Sequence, residues 1–204
     1  MVAYYLLISY WTFTHISIIS FFKQNKRINW KLFESLILGL SLFLVMALRN
    51  ESVGVDTNQY LFRYNYYIYP LDLTIFSYDE WGFHGFAAIL SYFNIPDQMY
   101  LAIISLIIVV LFTRFYYKYS TDIFYSYFLH LTIGVFALSL SGLSQIIAVG
   151  IFLKGFDYIV YNKPIKYVLS ILLAATIHNS AIFLLPLYLF RNLRLNKKSG
   201  FVLL

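Results

Sequence analysis

The sequence predicts an all-α, polytopic helical integral membrane protein with about six transmembrane spans and a short interfacial or re-entrant helix on the outer side. Two observations predict this class. The chain of 204 residues is 61% hydrophobic and only 12% charged, which is more apolar surface than a soluble domain of this size can bury. Its apolar runs, with their flanks, can cross a hydrocarbon core of about 30 Å. We expect residues 1–204 to form a single transmembrane domain.

The spans are placed by hydrophobic length and by the charged residues between them. The six predicted spans are Val2–Phe22, Leu32–Leu48, Met99–Tyr117, Ile123–Leu140, Gln145–Tyr161 and Ile165–Phe190. The last is too long for one straight crossing, and Pro186 with the polar triplet at His178 predicts a break into an ascending and a descending half. The apolar segment Gly82–Phe93 is too short to span, which predicts the interfacial or re-entrant helix. The first span lacks the features of a cleaved signal peptide.

Lysine and arginine cluster in alternate connections between the spans, as they normally do on the cytoplasmic side. The clusters are Lys23–Arg27 with Lys31, Arg114 with Lys118, Lys163 with Lys166, and Arg191–Lys198. One topology puts all four in the cytoplasm, with the N-terminus outside and the C-terminal end of this chain inside. The net charge of +6 therefore indicates membrane topology and gives no support to a nucleic-acid partner.

Polar side chains from separate parts of the sequence converge on the outer side in this topology. They are Arg49, Glu51, Asp56, Tyr60, Asp79, Glu80, the turn Ser141–Gln145 and the triplet His178–Ser180. Polar groups at membrane depth normally face a cavity or a partner, so this convergence predicts a binding site.

Each candidate also has a structural explanation. Arg49 could snorkel to the surface or pair with a nearby carboxylate. Asp56 could cap a helix, Glu80 could cap the short helix that follows it, and His178 could satisfy backbone groups at the break. Lys154 and Asp157 lie three residues apart in one predicted span, and this spacing predicts a structural pair. His15 and His130 are predicted to be packed rather than functional.

Cofactor chemistry finds little support in the composition. The absence of cysteine excludes disulfides, thiolate catalysis and thiolate metal ligands. No pair of histidines has metal-ligand spacing with a carboxylate nearby, so we expect neither a metal site nor a cofactor.

Four sequence segments resemble motifs of one family. Arg49 followed by Val53–Tyr60 (VGVDTNQY) resembles the R…VGxDTxxY motif of the EpsG family, bacterial membrane proteins of exopolysaccharide synthesis related in role to Wzy-type polymerases. Glu80–Phe83 is similar to its Glu-x-Gly-Phe segment, Ser139–Ala148 to its S-x-x-GLRQ-x-x-A segment, and His178–Ala181 to its HxSA motif. The four occur in the family's order and cover most of the chain.

Two departures from the family pattern stand out. Ser144 occupies the position of the family's arginine before Gln145, which removes a cation expected to meet phosphate or sugar. Family members are also longer, and the last residues, Phe201–Leu204, resemble the start of another hydrophobic segment. The resemblance therefore implies that the chain is the N-terminal part of a longer fold, C-terminally truncated.

The resemblance implies a polysaccharide polymerase that joins undecaprenyl-diphosphate-linked oligosaccharide repeat units at the outer face of the bacterial cytoplasmic membrane. The polymer would be an exopolysaccharide or capsule, as found in biofilms, and the chemistry would be glycosyl transfer. The implied catalytic residues are Asp56, Glu80 and His178, and the implied substrate-binding residues are Arg49, Tyr60, Gln145 and Ser180.

The expected partners are the lipid-linked oligosaccharide, membrane lipid and other polysaccharide assembly proteins. Whether this chain is an enzyme stays open, because Ser144 replaces the arginine. The alternatives are a non-catalytic or degenerate membrane partner of the assembly complex, or a membrane glycan acyltransferase.

Overall fold

The computed structural model describes residues 2–22, 29–66 and 79–192, and the regular structure of these ranges is entirely helical. The elements are α1 (Val2–Phe22), α2 (Trp30–Ala47), α3 (Thr57–Tyr66), α4 (Trp81–Tyr92), α5 (Asp97–Tyr119), α6 (Ile123–Thr132), α7 (Val135–Ser141), α8 (Leu143–Val160), α9 (Pro164–Ile177) and a 3₁₀ helix (Asn179–Asn192). The predicted all-α class is confirmed for these residues.

Four of these helices, α1, α2, α5 and α8, are long and apolar enough to cross a membrane. The pair α6 and α7 forms a fifth candidate span with a bend of 60°. The bend lies at Gly134, whose φ of +90° is a left-handed conformation that glycine adopts at little steric cost. The described residues therefore contain four or five candidate spans, and the predicted number of six is not confirmed.

The predicted break at His178 is confirmed. Helix α9 ends at Ile177, and the 3₁₀ helix begins two residues later. Its backbone returns along α9, because the Tyr167 hydroxyl donates to the Leu184 carbonyl at 2.6 Å and the Tyr188 hydroxyl donates to Asn162 Oδ1 at 2.8 Å. The segment thus forms a helical hairpin whose tip is His178.

The apolar core lies between α1, α2, α5 and α6. Its largest fully buried side chains include Trp11, Leu38, Met46, Tyr100 and Tyr127. Helices α8 and α9 approach each other through small residues, as membrane helices commonly do, with Ala148, Ala174 and Ala181 in one cluster.

Lysines and arginines from separate parts of the described chain lie at one end of the helices, which we call the basic end. Lys31, at the start of α2, donates to the Ser120 carbonyl after α5 at 2.7 Å. Lys163 precedes α9, and Arg191 contacts the nearby Asn162. The opposite end, where Arg49 follows α2 and His178 follows α9, is called the site end. The predicted division of the chain into a basic side and a polar site side is therefore present in the fold.

One predicted pair is wrong. Asp157 accepts from Arg114 at 2.5 Å and from Lys118 at 2.7 Å, both on α5, whereas Lys154 is exposed. The buried carboxylate faces the neighbouring helix, and two cations there satisfy it better than an exposed lysine on its own helix.

The two isolated histidines differ. His130 is 1% exposed, and its Nδ1 lies 2.8 Å from the Tyr116 hydroxyl, so the prediction of a packed side chain is confirmed. His15 is paired instead, with its Nδ1 2.6 Å from Oε1 of Glu34 on α2.

Candidate functional site

The loop from Arg49 to Asp56 is held against the site end of three helices. The Gln98 side chain, at the start of α5, donates to the Ala47 carbonyl and lies 3.4 Å from the Arg49 carbonyl. Further along, the Thr57 hydroxyl lies 2.8 Å from the Val53 carbonyl and 3.1 Å from the Leu140 carbonyl of α7. These contacts fix the loop between α2, α5 and α7.

Gly54 brings this loop into direct contact with α7. Its φ is +96°, and a Cβ atom at this position would lie 2.1 Å from the Leu140 carbonyl oxygen. No side chain fits there without moving the backbone. The glycine of the VGVD segment is therefore required by the close approach of two backbones.

Substituting Gly54 tests this close approach. We expect Gly54→Ala to destabilise the protein by roughly 3 kcal/mol, because left-handed strain of about 1–2 kcal/mol adds to a steric overlap. Gly134→Ala is the matched control, since Gly134 has a similar φ of +90° but nothing within 4 Å of its missing Cβ. Thermal unfolding of both purified variants in detergent measures the difference. Equal losses in the two variants would show that the contact with α7 is unimportant.

Arg49 is a buried cation without a partner. The residue is 5% exposed, and none of its three guanidinium nitrogens has a hydrogen-bond partner in the described part of the chain. Burial lowers the pKa of Arg49 to about 10, which still leaves the group protonated at neutral pH. The suggested structural pair with Glu51 or Asp56 is not formed. A buried guanidinium with five free N–H donors is well suited to hold an anion.

Glu80 and His178 form a hydrogen-bonded pair between the start of α4 and the end of α9. Glu80 Oε1 contacts His178 Nδ1, and both side chains are about one quarter exposed. Glu80 precedes α4 with a φ of +63°, a strained conformation for a residue with a side chain. Gly82 lets α4 lie against α9 at this level, because a Cβ there would be 2.4 Å from Thr176 Oγ1. The fold thus uses a strained residue and a glycine contact to set this pair.

Two hydroxyl groups extend the pair towards the Arg49 loop. Ser144 Oγ lies 3.4 Å from His178 Nδ1 and 3.4 Å from the Tyr60 hydroxyl. The Tyr60 ring packs on the edge of Phe83, with centroids 5.4 Å apart. Side chains of α3, α4, α8 and the tip of the α9 hairpin therefore meet in one cluster.

The same histidine nitrogen contacts both the glutamate and the serine. A Ser-His-acid triad needs the acid on one ring nitrogen and the serine on the other, so His178 cannot relay a proton from Ser144 to Glu80 in this geometry. With Nδ1–H donated to Glu80, the lone pair of Nε2 is available to accept a proton. The arrangement suits a general base oriented by a carboxylate.

The other predicted site residues do not join this cluster. Asp56 is half-buried beside α3 and its carboxylate makes no ion pair with another described residue. Gln145 and Ser180 are exposed and have no hydrogen bond to His178 or Arg49. Of the seven predicted residues, the structure brings together Tyr60, Glu80 and His178, and it places Arg49 in the adjoining loop.

Ser144 is the site residue that the sequence interpretation did not assign. The sequence interpretation treated Ser144 only as the position where the family's arginine is replaced. In the structure Ser144 is buried and contacts His178, whereas its neighbour Gln145 is exposed. Helical periodicity could have predicted that Ser144 is buried, because Ser144, Ala148 and Gly155 are small residues on one face of α8.

The fold and the cluster define a multi-pass helical membrane protein with a polar, anion-suited site at one end. The chain matches the EpsG family over residues 32–204 and belongs to that family, whose members are membrane proteins of exopolysaccharide biosynthesis. No curated protein and no solved structure shows a significant match to the chain.

Proposed function

We propose that this protein is a polysaccharide polymerase that transfers a glycan from a polyprenyl diphosphate carrier to another lipid-linked repeat unit. The observation that carries the proposal is the buried Arg49, to which the described residues offer no hydrogen-bond partner, at the same end of the helices as the Glu80–His178 pair. Such a reaction needs a fixed cation for the diphosphate leaving group and a base for the acceptor hydroxyl.

The proposed roles follow from the contacts. Arg49 would hold the diphosphate through planar, bidentate donors and stabilise the charge that develops on it as the glycosidic bond breaks. His178 Nε2 would accept the proton of the attacking sugar hydroxyl, and Glu80 would orient the imidazole through Nδ1. Tyr60 and Ser144 would donate to or accept from sugar hydroxyls near the base. Asp56, Gln145 and Ser180 remain candidates for sugar contacts at the rim.

The positive-inside pattern supports a location of the site end at the outer face of the cytoplasmic membrane. Lys31, Lys163 and Arg191 lie at the basic end, so that end is proposed to face the cytoplasm. The lipid-linked repeat units would then be joined outside, after they have crossed the membrane.

A polymer assay with a carboxylate variant tests the proposal. In a strain lacking the chromosomal copy, we expect Glu80→Gln to reduce long polymer on the order of 10²-fold and to accumulate lipid-linked single repeats, because the amide cannot stabilise the imidazolium. Glu51→Gln is the matched control, since Glu51 is exposed in the same loop region. Electrophoresis of the polymer and mass spectrometry of the lipid-linked fraction give both readouts.

Two outcomes would contradict the proposal. Long polymer at the wild-type level in Glu80→Gln would remove the catalytic pair from the mechanism. Loss of polymer without accumulation of single repeats would place the defect before polymerisation, as expected for a non-catalytic partner of the assembly complex.

A further inference from the structure

A polar cavity lies at the basic end of the helices, away from Arg49 and His178. Its volume is about 180 Å³. Glu34 of α2, His15 of α1 and Asp122 before α6 line it together with Trp30, Thr121 and isoleucines of α1 and α6. It is therefore enclosed by three helices and combines acidic, aromatic and apolar walls.

Glu34 is the most unusual residue of this cavity. The residue is 0% exposed, although it is a carboxylate within an apolar helix. Its Oε1 lies 2.6 Å from His15 Nδ1, whereas its buried Oε2 has no hydrogen-bond donor within residues 2–22, 29–66 and 79–192. Buried carboxylate oxygens are almost always hydrogen-bonded, and an ionisable residue inside a membrane helix normally marks a functional site.

The described residues that line the cavity carry a net negative charge in either state of His15. Even if the imidazole is protonated and neutralises Glu34, Asp122 adds a second carboxylate, of which Oδ1 accepts from the Tyr125 amide at 2.9 Å. No lysine or arginine of the described ranges lines the cavity. Lys31, adjacent to Trp30 in sequence, donates to the Ser120 carbonyl instead.

This composition excludes several classes of ligand. An anion would meet two carboxylates and no lysine or arginine among the described lining residues. The described residues contain no group of three His, Asp or Glu side chains placed to hold a metal ion. A purely apolar ligand would leave the Glu34 oxygen without a donor. The class of ligand that fits the described lining residues is a cation that donates hydrogen bonds and has an apolar portion.

We propose that this cavity binds the ammonium group of a small primary amine. An ammonium group has three N–H donors for the two carboxylates and the Thr121 hydroxyl. The indole ring of Trp30 can also contact the cation through its face. The carbon chain of the amine would lie against the isoleucines. The same chemistry is offered by a free alkanolamine and by the headgroup of an aminophospholipid, which would reach the cavity from the surface at the basic end.

The test uses the full chain purified in detergent, with ethanolamine as the probe. Ethanolamine should raise the unfolding temperature in a saturable manner, and tetramethylammonium, which has no N–H donor, should give at least tenfold weaker binding. Glu34→Gln should weaken ethanolamine binding at least tenfold. Asp122→Asn should weaken it severalfold while keeping the helix cap, because asparagine caps as well as aspartate. Glu51→Gln, at the other end, should bind like the wild type.

A second arm identifies the source of the amine. The wild type and Glu34→Gln are placed in nanodiscs of phosphatidylethanolamine or of phosphatidylcholine. A lipid ligand predicts that phosphatidylethanolamine stabilises only the wild type and that free ethanolamine then adds nothing. A free amine predicts that ethanolamine stabilises the wild type equally in both lipids. If Glu34→Gln and Asp122→Asn both respond to ethanolamine as the wild type does, or if the wild type responds to neither probe nor lipid, the proposal is wrong.

Discussion

Replacing Arg49 with methionine is expected to abolish polymer formation and, at the same time, to raise the stability of the protein. The guanidinium is buried and has no partner among the described residues, and a buried unsatisfied charged group destabilises a fold by about 1–3 kcal/mol or more. Methionine has a similar length and no charge, so that cost disappears. The diphosphate would lose its only buried cationic partner in the adjoining loop, with an expected loss of at least 10³-fold in rate.

Opposite changes in stability and activity separate a ligand-binding arginine from a structural one. If Arg49 serves the fold through contacts of its own, Arg49→Met will lower the unfolding temperature instead. Arg49→Lys gives an intermediate test, because it keeps the charge and loses the planar fork, and we expect weak residual polymer. Thermal unfolding of purified protein and the length of the polymer in a complemented deletion strain supply the two measurements.

Replacing His178 with glutamine should slow polymerisation by about 10²–10⁴-fold, the usual contribution of a general base. Glutamine can still donate to Glu80, so the hairpin tip and the unfolding temperature should change little.

The control for His178 is its neighbour Asn179, which is exposed and occupies the variable position of the HxSA motif. Asn179→Ala should retain wild-type polymer. The measurement is single-turnover transfer between purified lipid-linked repeat units. An unchanged rate in His178→Gln would assign the base to another residue, and Asp56 would be tested next.

Hydrophobic length was enough to place the long helices. Uninterrupted apolar runs predicted α1, α2, α5 and α8 because each must satisfy its backbone internally and has few competing structures in a membrane. The position of a glycine within an apolar run did not predict in the same way where a span bends. The fifth candidate span bends by 60° at Gly134, whereas Gly39 and Gly150 lie inside the uninterrupted helices α2 and α8. Glycine alone therefore does not show where a span bends.

The candidate site was predictable as a set of motifs but not as a set of contacts. The sequence interpretation brought Glu80 and His178 to one side of the membrane, yet it could not pair them, since the pairing depends on Gly82 meeting Thr176 across α4 and α9. It also chose Gln145 over Ser144, although one residue of helical rotation, about 100°, decides which of the two is buried. Side-chain partners across helices depend on rotation and depth, which a single sequence does not contain.

The shortness of α9 has a consequence for the surrounding bilayer. Its 14 residues rise about 21 Å, well short of a hydrocarbon layer of about 30 Å. If its first turn lies at one membrane surface, the hairpin tip is several ångströms below the other. Hydrophobic mismatch of this kind is relieved by local thinning of the bilayer or by water entering above the tip. A lipid-linked substrate could then lower its diphosphate to the level of the site without its polyprenyl chain leaving the membrane.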